Sequence, residues 1–132
     1  MHKEKVHDDV KYYYLMEDGT VVVKFDEESL GIYQNNKFTE LSDSSDGYFD
    51  YVDGVLFYFD QYSSKNKSGT LMKYHNGKKQ KIDIDVYEFV LRGTKNIYYI
   101  KDYSTKNSKG ELYQFKGGKS KLIDSDVYSI VY

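Results

Sequence analysis

From Tyr48 onward the chain alternates short apolar runs with polar punctuation. "YFDYV" (48–52), "VLFYFD" (55–60), "TLMKYH" (70–75) and "KKQKID" (78–83) are separated by "DG", "QYSSKNKSG" and "NG". Runs of this length bounded by such signals read as strands, and Asp-Gly and Asn-Gly read as hairpin turns because they tolerate positive φ. The run 55–60 is apolar at almost every position, as a strand covered on both faces is. The run 78–83 is polar and rich in Lys, which suits an exposed edge where Lys discourages pairing with other chains.

The same order then recurs. Residues 58–90 and 99–131 align without a gap at an offset of 41, and 15 of the 33 positions are identical, among them Tyr62/Tyr103, Lys65/Lys106, Gly69/Gly110, Leu71/Leu112, Asp83/Asp124, Asp85/Asp126 and Tyr87/Tyr128. A fainter earlier copy runs through "VKYYYLM", "TVVVKFD", "LGIYQ" and "KFTELS" (10–42), with Leu30 standing 41 before Leu71. The expectation is a single domain over 1–132, built of units at approximately 10–46, 47–85 and 86–126, with orphan strands at 3–7 and 127–132. Repeats of 40–50 residues mark propeller blades or helical arrays, and these residues exclude helices. The fold class expected is therefore all-β, as about three four-stranded antiparallel units, β-propeller-like, with a β-meander or small barrel as the alternative.

The stretch "YYIKDYS…KGELYQFKGGKSKLIDSDVYSI" resembles tyrosine-rich β-propeller repeats of uncharacterised Firmicutes proteins. That resemblance covers residues 48–131 well and 5–47 weakly. It implies a fold rather than an activity, and in that family the units often sit in an extracytoplasmic region behind a zinc ribbon and a membrane anchor. Three units leave an apolar face open at each end, because closed propellers usually need four blades or more. A homodimer closing a ring is the preferred outcome, and a fragment of a longer array the next.

Composition agrees with strands. There are 16 Tyr and 7 Phe but no Trp, Pro or Cys. Without Cys there is neither a disulfide framework nor a thiol nucleophile. Net charge is −2 with no basic stripe, so nucleic acid is not an expected partner. No apolar run approaches a membrane span, and the polar start "MHKEKVHDDV" has no signal-peptide core. The chain as written is expected in the cytoplasm, or outside it if it is a piece of a larger anchored protein.

Candidate chemistry is sparse. The matched loops "YSSKNKSG" and "YSTKNSKG" present Tyr62, Lys65, Tyr103 and Lys106 as candidate binding residues, with Tyr supplying rigid contact area. Arg92, the sole arginine, is a candidate for recognising a carboxylate or phosphate. Asp83, Asp85, Asp124 and Asp126 alternate as calcium ligands can, but they lack the further ligands of a calcium loop, and capping of turn N–H groups is the preferred reading. No catalytic set, metal or cofactor is implied. The function expected is a non-enzymatic binding or scaffold module for a protein, peptide or glycan. One alternative is a hydrolase or lyase with Asp and Tyr gathered at the ring axis. Another is a small phage or mobile-element protein that sequesters a host factor.

Overall fold

A computed structural model describes residues 12–26 and 28–131. Eleven strands and no helix lie among them, so no helix is long and apolar enough to cross a membrane. β1 (Tyr12–Leu15), β2 (Val21–Lys24), β3 (Leu30–Gln34) and β4 (Lys37–Ser42) form a four-stranded antiparallel sheet in chain order. β5 (Phe49–Val52), β6 (Val55–Ser63), β7 (Ser68–His75), β8 (Lys78–Leu91), β9 (Asn96–Ser104), β10 (Lys109–Lys116) and β11 (Lys119–Val127) form a seven-stranded sheet, also in chain order. The protein is all-β, and the first unit forms a four-stranded antiparallel sheet, as expected.

The second and third units are not separate sheets. The boundary expected at 85/86 falls inside β8, a strand of 14 residues. Its first part, Lys78–Val86, pairs with β7, and its second part, Val86–Leu91, pairs with β9. "IDVYEF" (84–89) contains no Gly or Asn to end the strand at that join. Instead Asp85 takes a left-handed conformation (φ 56°), and the register shifts against both neighbours beside it. Such a bulge bends a strand without stopping it, and the sheet curls into a half-barrel. At the earlier join "DSSDG" (43–47) does stop the strand, with Gly47 at φ 84°. The expected orphan strand at 3–7 lies outside the described residues. That at 127–132 is not formed: Val127 closes β11, and residues 128–131 have no regular secondary structure.

The hairpins follow their turn chemistry. Asn35-Asn36, Asp53-Gly54, Asn76-Gly77 and Gly117-Gly118 each place two successive residues at positive φ, the backbone of a tight hairpin whose twist matches its strands. The strands β9 and β10 begin and end 41 positions after β6 and β7.

The core is organised around β6. Val55, Phe57 and Phe59 point to one side and pack with Leu71, Val86, Phe89, Ile97, Tyr99 and Phe115 inside the curl. Leu56 and Tyr58 point to the other side with Tyr74, and pack against Val22, Leu30, Ile32 and Leu41 of the first sheet. Period-two alternation makes both faces of β6 apolar faces of a core. Tyr99 stands 41 positions after Tyr58, and each ring packs against strands that precede its own hairpin in the chain.

A polar fastening sits beside each of these rings. In the half-barrel, the Asp83 carboxylate accepts the Tyr99 hydroxyl (2.6 Å) and the Lys101 ammonium (2.7 Å), with both charged side chains about four-fifths buried. Burial works to raise the Asp83 pKa, but the hydrogen bonds from Lys101 and Tyr99 outweigh it and hold the carboxyl below its ordinary range. Between the two sheets the counterparts are changed. Ser42, 41 before Asp83, donates to Asp60, 41 before Lys101, at 2.6 Å. The shorter serine leaves the buried Tyr58 hydroxyl without a hydrogen-bond partner among the described residues.

The two tyrosines therefore respond differently to loss of the hydroxyl. Tyr99→Phe is expected to lower the unfolding free energy by about 1–3 kcal/mol, because it strips a hydrogen bond from a partly buried carboxylate. Tyr58→Phe is expected to be neutral or stabilising by up to about 1 kcal/mol, because it removes an unsatisfied buried group. Urea unfolding of both variants checks this. Because the folded pKa of Asp83 is depressed, its contribution to stability is present above the unfolded value of about 3.9 and is lost as pH falls through the folded one. Wild type should lose more stability than Asp83→Asn as the pH is lowered below about 4, read from thermal midpoints across pH.

Candidate functional site

The tyrosines of the matched loops are brought to one rim. The β6–β7 loop (64–67) and the β9–β10 loop (105–108) close in the same way: Ser63 Oγ accepts the Asn66 N–H and Ser104 Oγ the Asn107 N–H, both at 3.2 Å, and Lys67 and Ser108 take left-handed conformations. The two loops flank the β8 bulge. Asn66 and Ser68 from one side, Asp102, Tyr103 and Thr105 from the other, and the exposed Asp85 of β8 line a polar cleft of about 210 Å³. Asp102, like Asp85, is left-handed (φ 54°), so the backbone itself turns these carboxylates toward the cleft.

Next to it the Tyr103 ring stacks on Tyr87, centroids 3.7 Å apart and planes 5° from parallel. Tyr87 sits just past the bulge on β8 and also lines a second cleft, of about 320 Å³, with Asp46, Tyr48, Glu88 and Phe89. Asp46 joins this to a third groove holding Glu28, Ser44 and Tyr62. The floor is aromatic and continuous: Tyr62 packs on Phe59 (5.6 Å), Phe59 on Phe89 (5.4 Å) and Phe89 on Tyr48 (5.4 Å). The clefts therefore form one run along the rim, with tyrosine rings in the floor and the carboxylates of Glu28, Asp46, Asp85, Glu88 and Asp102 along it.

Electrostatics follow from this crowding. Burial, then the Tyr103 hydroxyl, pushes the Tyr87 phenol up. Burial, then the Asp46 charge, does the same to Tyr62. Asp46 is exposed as a residue, yet the protein around its carboxyl raises its pKa against the lowering effect of the Tyr48 N–H (3.0 Å). The carboxylates of Asp46 and Glu88 beside the tyrosine rings are hydrogen-bond acceptors, so a ligand bearing hydroxyl or amine donors suits the run.

The sequence-predicted residues divide. Tyr62 and Tyr103 lie at this rim, half-buried, while Lys65 and Lys106 are exposed on the two loop tips. Arg92 lies in the turn between β8 and β9, at the other end of β9 from the loops, so it does not join them. Asp83 is engaged with Lys101 and Tyr99. Asp124 accepts the next N–H, from Ser125 at 2.8 Å, as Asp83 does from Ile84. Asp126 faces Lys109 at 3.7 Å. No group of three or more His, Cys, Asp or Glu among the described residues is placed to hold a metal ion. Sequence reasoning missed Tyr87, Tyr48, Asp46 and Asp102 as parts of the rim. The Tyr87/Tyr128 identity was a usable signal for the first. The others reach the rim only through the β4–β5 connection and a positive-φ bulge, which no spacing announces.

Removal of one hydroxyl tests the stack. In Tyr103→Phe the Tyr87 ionisation midpoint should move down toward the ordinary 10.0, with the part due to burial remaining, as followed by carbon NMR of the tyrosine rings through an alkaline titration. No protein-family model matches this sequence, and no curated protein is significantly similar to it.

Proposed function

We propose that this protein is a non-enzymatic, propeller-like binding or scaffold module whose rim recognises a protein, peptide or glycan partner. The observation that carries this is the Tyr87–Tyr103 stack beside Tyr62, set between two loops of matching geometry and bordered by carboxylates. Rigid stacked tyrosines supply contact area at little cost in side-chain entropy, and Asn66, Ser68 and Thr105 supply adaptable hydrogen bonds around them. The propeller-like reading is supported by matched positions: Tyr58 packs toward the first sheet, and Tyr99, 41 residues on, packs toward β6 and β7 within the curled sheet. The tightly held polar groups Asp83, Lys101 and Tyr99 fasten those groups to one another, which suits a scaffold that keeps the rim rigid.

The test is a comparison of wild type with Tyr87→Ala/Tyr103→Ala on peptide and glycan arrays, with any hit measured by calorimetry. Selective hits are expected for wild type. Their affinity should fall about thirtyfold or more in the variant, the effect of truncating an aromatic hot spot worth about 2 kcal/mol or more. Selective binding that survives the substitutions, or no selective binding by wild type, sinks the proposal.

A further inference from the structure

Every internal junction of this protein joins two kinds of face. One kind looks back along the chain: Leu56, Tyr58 and Tyr74, covered by the first sheet, and their counterparts 41 positions on, Ile97, Tyr99 and Phe115, covered by β6 and β7. The other kind looks forward: Phe57, Phe59 and Leu71, covered by β8–β10. Its counterparts 41 positions on are Tyr98, Ile100 and Leu112, which belong to neither core cluster. Ile100 is fully buried beside Glu88, which holds the tail segment, while Tyr98 and Leu112 are half-buried, so at the last strands a forward face is covered in part by the chain's own tail.

Among the described residues, the first strands carry a backward face that is covered only in part. Val23 pairs with Gly31 as Tyr58 pairs with Met72, and Tyr33 stands 41 before Tyr74, so Tyr13, Leu15, Val21, Val23 and Tyr33 are the backward face of the first sheet. Tyr13 is 49% exposed and Leu15 79%, while Val21 and Tyr33 are half-buried and Val23 is fully buried. Where the next group has Met72, Gly31 has no side chain, and the Phe38 ring fills the space: a Cβ at Gly31 would lie 2.8 Å from it.

We propose that the leftover faces bind each other between two copies of this chain, head to tail. Each is the counterpart of a face that the protein already buries against the opposite kind, so the occupant is specified by the interfaces inside the molecule. The contact is heterologous; two of them close a two-copy ring, and failure to close gives longer assemblies. The tail segment 128–131 bears on this. Ile130, 41 after Phe89, donates its N–H to the Glu88 carboxylate (3.1 Å), which lays the segment over the edge of the forward face where β1 of a second copy docks. Tyr128 is 65% and Val131 92% exposed, so Ile130 is what holds the segment, and a chain ending at Val127 associates more tightly than the full chain.

The chain has no Cys, so single cysteines report the geometry. Val90 and Tyr13 are the counterparts of Tyr14 and Phe49, whose rings meet at 5.2 Å across the internal junction. Light scattering over a concentration series should show dimers or larger species, and more of them for the chain ending at Val127. Tyr13→Cys and Val90→Cys should cross-link when mixed and not alone, and Leu15→Glu should weaken association tenfold or more. A monomer at the highest soluble concentration of both chains overturns the proposal. So does association in which Val90→Cys cross-links to itself, or in which the mixed cross-link is missing. None of these readouts depends on the rim ligand.

Discussion

β6 carries apolar side chains on both faces, and water must be kept from both. A two-faced strand needs a layer on each side, and this constraint organises the rest of the chain. Val55, Phe57 and Phe59 are covered by the far half of the same sheet, which is possible only because that sheet curls back at the β8 bulge. Leu56 and Tyr58 are covered by the first sheet, which is possible only because "DSSDG" breaks the strand between β4 and β5 and lets the first sheet stack. One join bends and the other breaks, and each does what its side of β6 requires.

The two junctions solve the polar problem differently. Asp83 is long enough to take both the Tyr99 hydroxyl and the Lys101 ammonium, so a carboxylate, an amine and a phenol are satisfied together. Ser42 is too short to do so; it bonds the reversed partner, Asp60, and Tyr58 keeps its ring in the core with its hydroxyl unmatched. The hydrophobic part of the contact is common to both junctions, and the charge pair belongs to one. Burial outside the charge pair sets the general strength of such a contact, while the pair adds direction and acid sensitivity. The first junction has a second polar contact of its own, where the Tyr51 hydroxyl on β5 bonds the Asp18 carboxylate and Thr20 of the first sheet.

Much of the fold was legible because local chemistry and global pattern agree. Asp53-Gly54 and Asn76-Gly77 turn where their residue types predict, and the run at 55–60, apolar at all but its last position, is the strand buried on both faces. The continuity of β8 was not legible. "DIDV" reads as a turn because Asp favours turns, yet here Asp85 adopts positive φ within an unbroken strand, held there by pairing partners on both sides that only tertiary structure supplies. The rim was half legible. Tyr62 and Tyr103 stood out as a matched pair, but Tyr87, which stacks on Tyr103, reaches it through the same bulge that the spacing concealed.

That bulge joins architecture to recognition. An Asp at position 85 in a regular strand would pair and point with its neighbours; in the left-handed conformation it leaves the ladder and faces the cleft between the two loops. Matched residues at 61, 102 and 126 are left-handed as well. The second and third groups therefore each keep places where the backbone turns a side chain out of the sheet at the loop end. At 61 and 102 those residues are Gln and Asp, and at 85 and 126 both are Asp. The scaffold is repeated and the displayed chemistry varies, so the rim between β6 and β10 can be selective while the sheets beneath it follow one rule of packing.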